Sequence, residues 1–184
     1  MKNRFTPISE LGEFNLIDRL TQNIEIKHAS TKKGIGDDGA IITHLAKKSH
    51  VISTDMLAEG VHFDPIYTPL KHLGYKSIVT NISDICAMNG TATHVLISLG
   101  IPNKYSVEHI EELYKGIETA CKNYNIDLIG GDATSSASGL IINITIIGEL
   151  SLKESVYRTG AKPNHLLFVS GDLGAAYLGL QILE

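Results

Sequence analysis

The sequence predicts an α/β fold. Short runs rich in β-branched residues alternate with longer segments whose apolar residues recur at helical spacing. Gly, Pro and Asn punctuate the boundaries between them. The 184 residues, 43% hydrophobic and 20% charged, are enough for one domain with a real core.

Ile8, Leu11, Phe14, Ile17, Leu20 and Ile24 are spaced for one face of a first helix. Residues 25–38 form a polar loop ending at Asp37. Ala40 to Leu45 and Val51 to Thr54 read as a strand pair. Thr68 caps the next helix with Pro69 at its first position; Leu70, Leu73, Ile78, Ile82, Ile85 and Met88 carry it to a stop at Asn89-Gly90. Ala92 to Ile101 is a strand closed by Pro102-Asn103. Ser106 caps a further helix, with Glu108 in its first turn and Ile110, Leu113, Ile117 and Cys121 as its buried stripe.

Asp127 to Ile129 is a short strand leading into a Gly130-Gly131-Asp132 turn, and Leu140 to Leu150 is the longest strand. Residues 151–164 form a polar connector holding Arg158, Gly160 and Pro163. His165 to Ser170 then reads as a strand and Asp172 to Glu184 as a helix that is still apolar where the sequence stops. The expected division is a domain over 1–150, a connector over 151–164 and the truncated start of a second domain over 165–184. The alternative is a last helix that packs back on its own sheet.

Composition excludes several function classes. Net charge is −4 with no basic face, which argues against a nucleic-acid partner. The run from Leu140 to Leu150 is broken by Asn143, Thr145 and Glu149 and is too short to cross a membrane. No apolar stretch follows Met1-Lys2-Asn3-Arg4, so a cytoplasmic protein is expected. Cys86 and Cys121 are expected as small buried apolar residues within helices, too few for a thiolate metal site.

The chemistry lies in the acidic residues. Asp37-Asp38, Asp55, Asp84 and Asp132 stand in glycine-rich or strand-end contexts along the chain. Each Gly-Asp string taken alone reads as a turn. Asp84 differs, because it falls on or beside the apolar stripe of its helix, where an unpaired carboxylate is costly. Asp55 closes a run that otherwise looks buried. Converging carboxylates repel unless a cation joins them, and hard oxygen ligands with almost no Cys or His nearby point to magnesium. Magnesium held by carboxylates commonly serves substrate phosphates.

No GxxxxGK[ST] string is present, and no GxGxxG follows a strand and opens a helix. If ATP binds, magnesium must therefore neutralise most of the phosphate charge, with no protein nucleophile required. His62 lies seven residues past Asp55, which suits a substrate contact as well as an ordinary surface or core histidine. The remaining histidines have no zinc-ligand spacing.

Six collinear segments carry a resemblance. They are Gly34-Ile-Gly-Asp-Asp38, Ile52-Ser-Thr-Asp-Met-Leu-Ala-Glu-Gly-Val-His-Phe63, Gly74-Tyr-Lys-Ser77, Asn81-Ile-Ser-Asp-Ile-Cys-Ala-Met88, Gly130-Gly-Asp132 and Arg158-Thr-Gly-Ala-Lys-Pro163. Together they resemble the thiamine-monophosphate kinase family, within the superfamily of aminoimidazole ribonucleotide synthetase. The resemblance implies ATP-dependent phosphorylation of thiamine monophosphate to thiamine diphosphate with several magnesium ions. It implies a mixed sheet with helices packed on one face, dimerising through the sheets into a barrel. It implies Asp37, Ser53, Thr54, Asp55, Asp84 and Asp132 as metal ligands and His62 as a substrate contact. Tyr114, Gly131, Asp132 and Arg158 are implied as ATP contacts. Ala133 departs from a Thr common in the family, and Met88-Asn89-Gly90 varies its usual Met-Gly-Ala. Most of the family's second domain has no counterpart here. The alternatives are another ATP-dependent synthetase of the superfamily and a non-catalytic dimerisation fragment.

Overall fold

A computed structural model describes residues 15, 29–33, 36–43 and 49–183. The helix expected over Ile8 to Ile24 lies outside these residues. Among the described residues six strands form one sheet: β1 (Thr31–Lys33), β2 (Ala40–Thr43), β3 (Ser49–Ala58), β4 (Thr91–Ile101), β5 (Asp127–Ser135) and β6 (Ile141–Leu150). Their spatial order is β1-β2-β3-β6-β4-β5. All neighbours are antiparallel except β4 and β5, so the sheet is mixed.

Side-chain alternation decides which face is covered. Along β6, Ile142, Ile144, Ile146, Gly148 and Leu150 are buried, while the residues between them are half-buried. Val51 and Leu57 of β3 and Val95, Ile97 and Leu99 of β4 complete this apolar face. Helix α1 (Leu70–Ala87) lies against β3, β4 and β6, and α2 (Val107–Tyr124) lies alongside α1. Two glycines permit that pairing. A Cβ on Gly74 would stand 2.0 Å from the Leu113 carbonyl oxygen, and one on Gly116 would stand 1.9 Å from that of Lys71.

The ends of the helices follow local chemistry. Pro69 is the N-cap of α1, one residue later than expected, and its carbonyl accepts the Leu73 N–H at 2.9 Å. Ser106 opens α2, with its N–H donating to His109 Nδ1 at 3.1 Å. Asn125 closes α2 in the left-handed region at φ 55°.

Several expectations need correction. Strand β3 runs on to Ala58, because β6 pairs with it residue by residue, so Asp55 sits inside a strand and not at its end. Strand β5 runs through Gly130-Gly131-Asp132 to Ser135, because β4 offers a ladder as far as Ile101. The ladder outweighs the turn preference of those glycines. Residues 165–170 form no strand; Leu166, Leu167 and Phe168 are exposed, and among the described residues no neighbouring strand supplies backbone partners. The following helix, α3, spans Ala175–Leu183. Cys121 is buried as expected, but Cys86 faces solvent. Among the described residues, no helix is long and apolar enough to cross a membrane.

Candidate functional site

The acidic cluster forms where the Gly36–Gly39 loop, β3 and α1 meet. Ser53 and Asp55, two residues apart, project from the helix-covered face of β3. The Ser53 hydroxyl lies 2.9 Å from Asp84 Oδ2 and 2.9 Å from the Asp38 carbonyl oxygen. It carries one proton, so it donates to one of them at a time. Asp37 is almost fully buried at 1% side-chain exposure, and Lys33 Nζ stands 3.4 Å from its Oδ2. That oxygen receives no hydrogen bond. Asp37 Oδ1 accepts the backbone N–H groups of Asp38 at 3.1 Å and Arg158 at 3.3 Å. The Arg158 guanidinium pairs with the Asp38 carboxylate.

Burial pushes the Asp84 carboxyl above its usual range. The charges of Asp55 and Asp38 push it further, while the Ser53 hydroxyl and Arg158 pull it back. A buried Asp37 oxygen without a donor and an Asp84 that ionises against its neighbours are demands that a hard cation meets. The oxygen donors of Asp37, Ser53, Asp55 and Asp84 fit magnesium in kind. Among the described residues, however, no three carboxylate, imidazole or thiolate groups are already gathered into a metal centre.

Two expected ligands are not brought to this cluster. The Thr54 side chain lies on the other face of the sheet, where its hydroxyl donates to the Ile144 carbonyl at 2.9 Å and meets Thr145 Oγ1 at 3.1 Å. Asp132 stands on β5 in register with Ser98, Asn143 and Met56, one row away from Asp55. It lines a cavity of about 650 Å³ with Tyr114, Gly131 and residues 128–130. Three of the four expected ATP contacts thus share one cavity. The fourth, Arg158, is at the acidic cluster. Gly131 has no room for a side chain, since a Cβ there would stand 1.8 Å from the Ile97 carbonyl oxygen.

His62 occupies the turn after β3. Its Nδ1 accepts the Ala58 N–H at 3.0 Å, and the Gly60 N–H donates to the Phe63 carbonyl at 2.9 Å. Gly60 adopts φ +78°, which favours glycine. His62 lines a second cavity, of about 750 Å³, with Asp64, Tyr67, His72, Lys76 and Tyr177. His72 and Lys76 lie one and two turns into α1, and their spacing could have flagged a polar edge on that helix. Lys33 and Glu59 also escaped the sequence reading. Glu59 lies within the Glu-Gly-Val-His-Phe string, but its partners come from residues far along the chain.

Comparison with known proteins connects these sites. The chain is 39% identical over 173 residues to a thiamine-monophosphate kinase of Bacillus subtilis (strain 168), covering 94% of this chain and 53% of that protein. It is 38% identical over 176 residues to the thiamine-monophosphate kinase of Aquifex aeolicus (strain VF5), covering 96% and 54%. The solved structure "AaThiL complexed with AMPPCP and TMP" superposes with a TM-score of 0.86 at 36% identity, over 98% of this chain and 55% of that one. The chain thus spans about half the length of the relatives it matches. The family described as AIR synthase related protein, N-terminal domain, matches residues 36–150, from the acidic loop to the end of β6. With the sheet, the helix pair and the acidic loop all inside that match, the chain belongs to the AIR synthase related family through its N-terminal domain.

Proposed function

We propose that the chain is the nucleotide-binding half of an ATP-dependent kinase that phosphorylates thiamine monophosphate to thiamine diphosphate. The observation that carries this reading is the 0.86 superposition on a structure complexed with AMPPCP and TMP. The cavity of Tyr114, Gly131 and Asp132 takes the nucleotide, and Arg158 meets its phosphates. Asp37, Ser53, Asp55 and Asp84 would hold magnesium, with Asp132, one row away, joining through adjustment around the bound nucleotide, while the Thr54 hydroxyl stays on the other face of the sheet. When bound, magnesium neutralises phosphate charge and aligns the attacking and leaving oxygens. The chain's own contribution is to orient the two substrates and to present the carboxylates to the cation. His62 contacts the thiamine monophosphate.

In this reading residues 1–150 form the ATP- and magnesium-binding domain, 151–164 a connector and 165–184 the start of a second domain. The protein works in the cytoplasm as a homodimer joined through the open sheet face. Met56, 56% exposed on that face, supports this, because a partner sheet would cover it. The test supplies the protein with magnesium, γ-labelled ATP and thiamine monophosphate and separates the products. Label in thiamine diphosphate is expected. Label released only as free phosphate, whichever acceptor is present, would overturn the assignment.

A further inference from the structure

A carboxylate outside the acidic cluster ties together the surroundings of His62. Glu59 follows the last residue of β3 and immediately precedes the turn that carries His62. Its side chain is only 12% exposed. Three donors from two other segments converge on it. Leu140 N–H reaches Oε2 at 2.9 Å, Tyr105 Oη reaches the same oxygen at 3.2 Å, and Lys104 Nζ pairs with Oε1. The Glu59 N–H returns a bond to the Leu140 carbonyl at 2.9 Å, so backbone and side chain clamp the same residue. On the far side, a Cβ on Gly139 would lie 2.9 Å from Glu59 Cβ, so the chain passes as close as glycine allows.

Glu59 does not line the cavity that holds His62. It fixes the root of the turn. One residue before it, the Ala58 N–H donates to His62 Nδ1 at 3.0 Å. A nitrogen that accepts carries no proton, so a neutral His62 holds its proton on Nε2. Nε2 is then a donor available to an acceptor oxygen of a ligand. This tautomer persists only while the Ala58 amide stays aimed at the ring, and Glu59 anchors the backbone immediately after that amide.

We propose that Glu59 is a positioning residue: through the Ala58–His62 hydrogen bond it sets the imidazole as an Nε2–H donor toward the phosphorylated acceptor. The inference rests on the reading of His62 as a substrate contact. Clamping one end of a short turn by a carboxylate with three donors restricts the ring more than packing alone, because hydrogen bonds to a charged acceptor are short and directional. Orienting groups of this kind are needed wherever a binding constellation must be held to a fraction of an ångström.

The experiment uses the intact protein in four forms: wild type, Glu59→Gln, His62→Ala and the double variant. Calorimetry measures the dissociation constants for thiamine monophosphate and for AMPPCP. Glu59→Gln keeps the volume but turns an amide NH2 toward the Lys104 ammonium or the Leu140 N–H, so a donor faces a donor. A rise of about tenfold in the thiamine monophosphate constant is expected, with AMPPCP changed by less than twofold. The double variant should bind no more weakly than His62→Ala. Losses that add in full would overturn the inference, because they would mean that Glu59 does not act through His62.

Nitrogen-15 spectra of the His62 ring give a readout independent of ligand. Wild type should show a single Nε2–H tautomer, and Glu59→Gln a mixture of tautomers. An unchanged ring spectrum in a folded Glu59→Gln protein would also overturn the proposal. Should Glu59→Gln not fold, Lys104→Met removes one donor at a site 55% exposed and should shift the same signals part of the way. No shift in that variant counts against the proposal. Wild-type protein that fails to bind thiamine monophosphate would overturn the substrate reading, while the ring spectra still decide the role of Glu59.

Discussion

Replacing Asp84 with Asn separates what this carboxylate does to the fold from what it does for a cation. Without divalent ions, burial disfavours its charge, and Asp55 and Asp38 add repulsion. Asparagine keeps an acceptor for the Ser53 hydroxyl, but a neutral one. Such a bond is worth about 1 kcal/mol, against about 1.5–3 for a charged acceptor, so roughly 1 kcal/mol of hydrogen bonding is lost. The burial penalty and both repulsions disappear in exchange. The folded protein raises the pKa of this carboxyl, so the balance favours the uncharged side chain. In chelator, Asp84→Asn should therefore melt higher than wild type.

The pH dependence follows from linkage. A raised carboxyl pKa destabilises the fold fully above the raised value and not at all below the ordinary one near 3.8. The advantage of asparagine should thus grow from about pH 4 toward neutrality. Magnesium with AMPPCP at about 100 times the dissociation constant should stabilise wild type by about 2.7 kcal/mol, or about 5–11 °C. If the substitution weakens binding a hundredfold, the same solution adds only about 0.4 kcal/mol, or about 1–2 °C. Differential scanning fluorimetry in chelator and in ligand reads both effects. An equal ligand-induced rise in the two proteins would refute the cation role, and a lower melting point for Asp84→Asn in chelator would refute the electrostatic argument.

Other outcomes follow from the same geometry. Gly116→Ala should destabilise the fold by about 3 kcal/mol or more in urea titrations, because its methyl would meet the Lys71 carbonyl at 1.9 Å. Ile144→Ala, at a fully buried position beneath α1, should lower the unfolding free energy by about 2–5 kcal/mol in the same assay. Arg158→Met should move the melting point by less than about 2 °C, since its ion pair with Asp38 is half-exposed, yet weaken AMPPCP about tenfold by calorimetry. Burial, and then the Glu59 charge beside it, push the Tyr105 phenol up to about 12. A raised tyrosine pKa gives stability that is complete below the ordinary value of 10.0 and lost as pH rises toward 12. Alkaline unfolding monitored by circular dichroism should show this loss in wild type and a flatter limb in Tyr105→Phe.

The helices were legible because each carries its own pattern. Leu73, Ile78, Ile82 and Ile85 mark the inner side of α1, and Leu113, Ile117 and Cys121 that of α2. In β6 isoleucines fall on both parities, so the sequence marked both faces as partly buried and not which one the helices cover. The extent of β3 and β5 was not legible, because strand length depends on what the neighbouring strand offers. Gly130-Gly131-Asp132 looks like a turn until β4 is placed beside it. Residues 165–170 failed for the converse reason: a β-prone string needs a partner strand.

The acidic cluster was partly legible. Asp84 stood out as a charge beside an apolar stripe, and Ser53 and Asp55 share the parity of a strand. The pairing of Arg158 with Asp38 joins residues 120 positions apart, and no local pattern encodes it. Thr54 illustrates a limit of contiguous motifs. In a strand, neighbours in sequence point to opposite faces, so a Ser-Thr-Asp string cannot deliver three side chains to one place.

The glycine contact between α1 and α2 also constrains motion. Helix α1 carries Asp84, and α2 carries Tyr114. With Gly74 against the Leu113 carbonyl and Gly116 against that of Lys71, the two backbones approach so closely that no side chain fits between them. The two are expected to travel as one body, so that the spacing between the acidic cluster and the Tyr114 wall of the cavity of about 650 Å³ is set by the scaffold. Any closure around a ligand must arise in the segments that hang from this body, namely the Gly36–Gly39 loop and the strand-free stretch containing Arg158. Amide exchange should accordingly be slowest around Leu113 to Ile117 and should change there least when ligand binds.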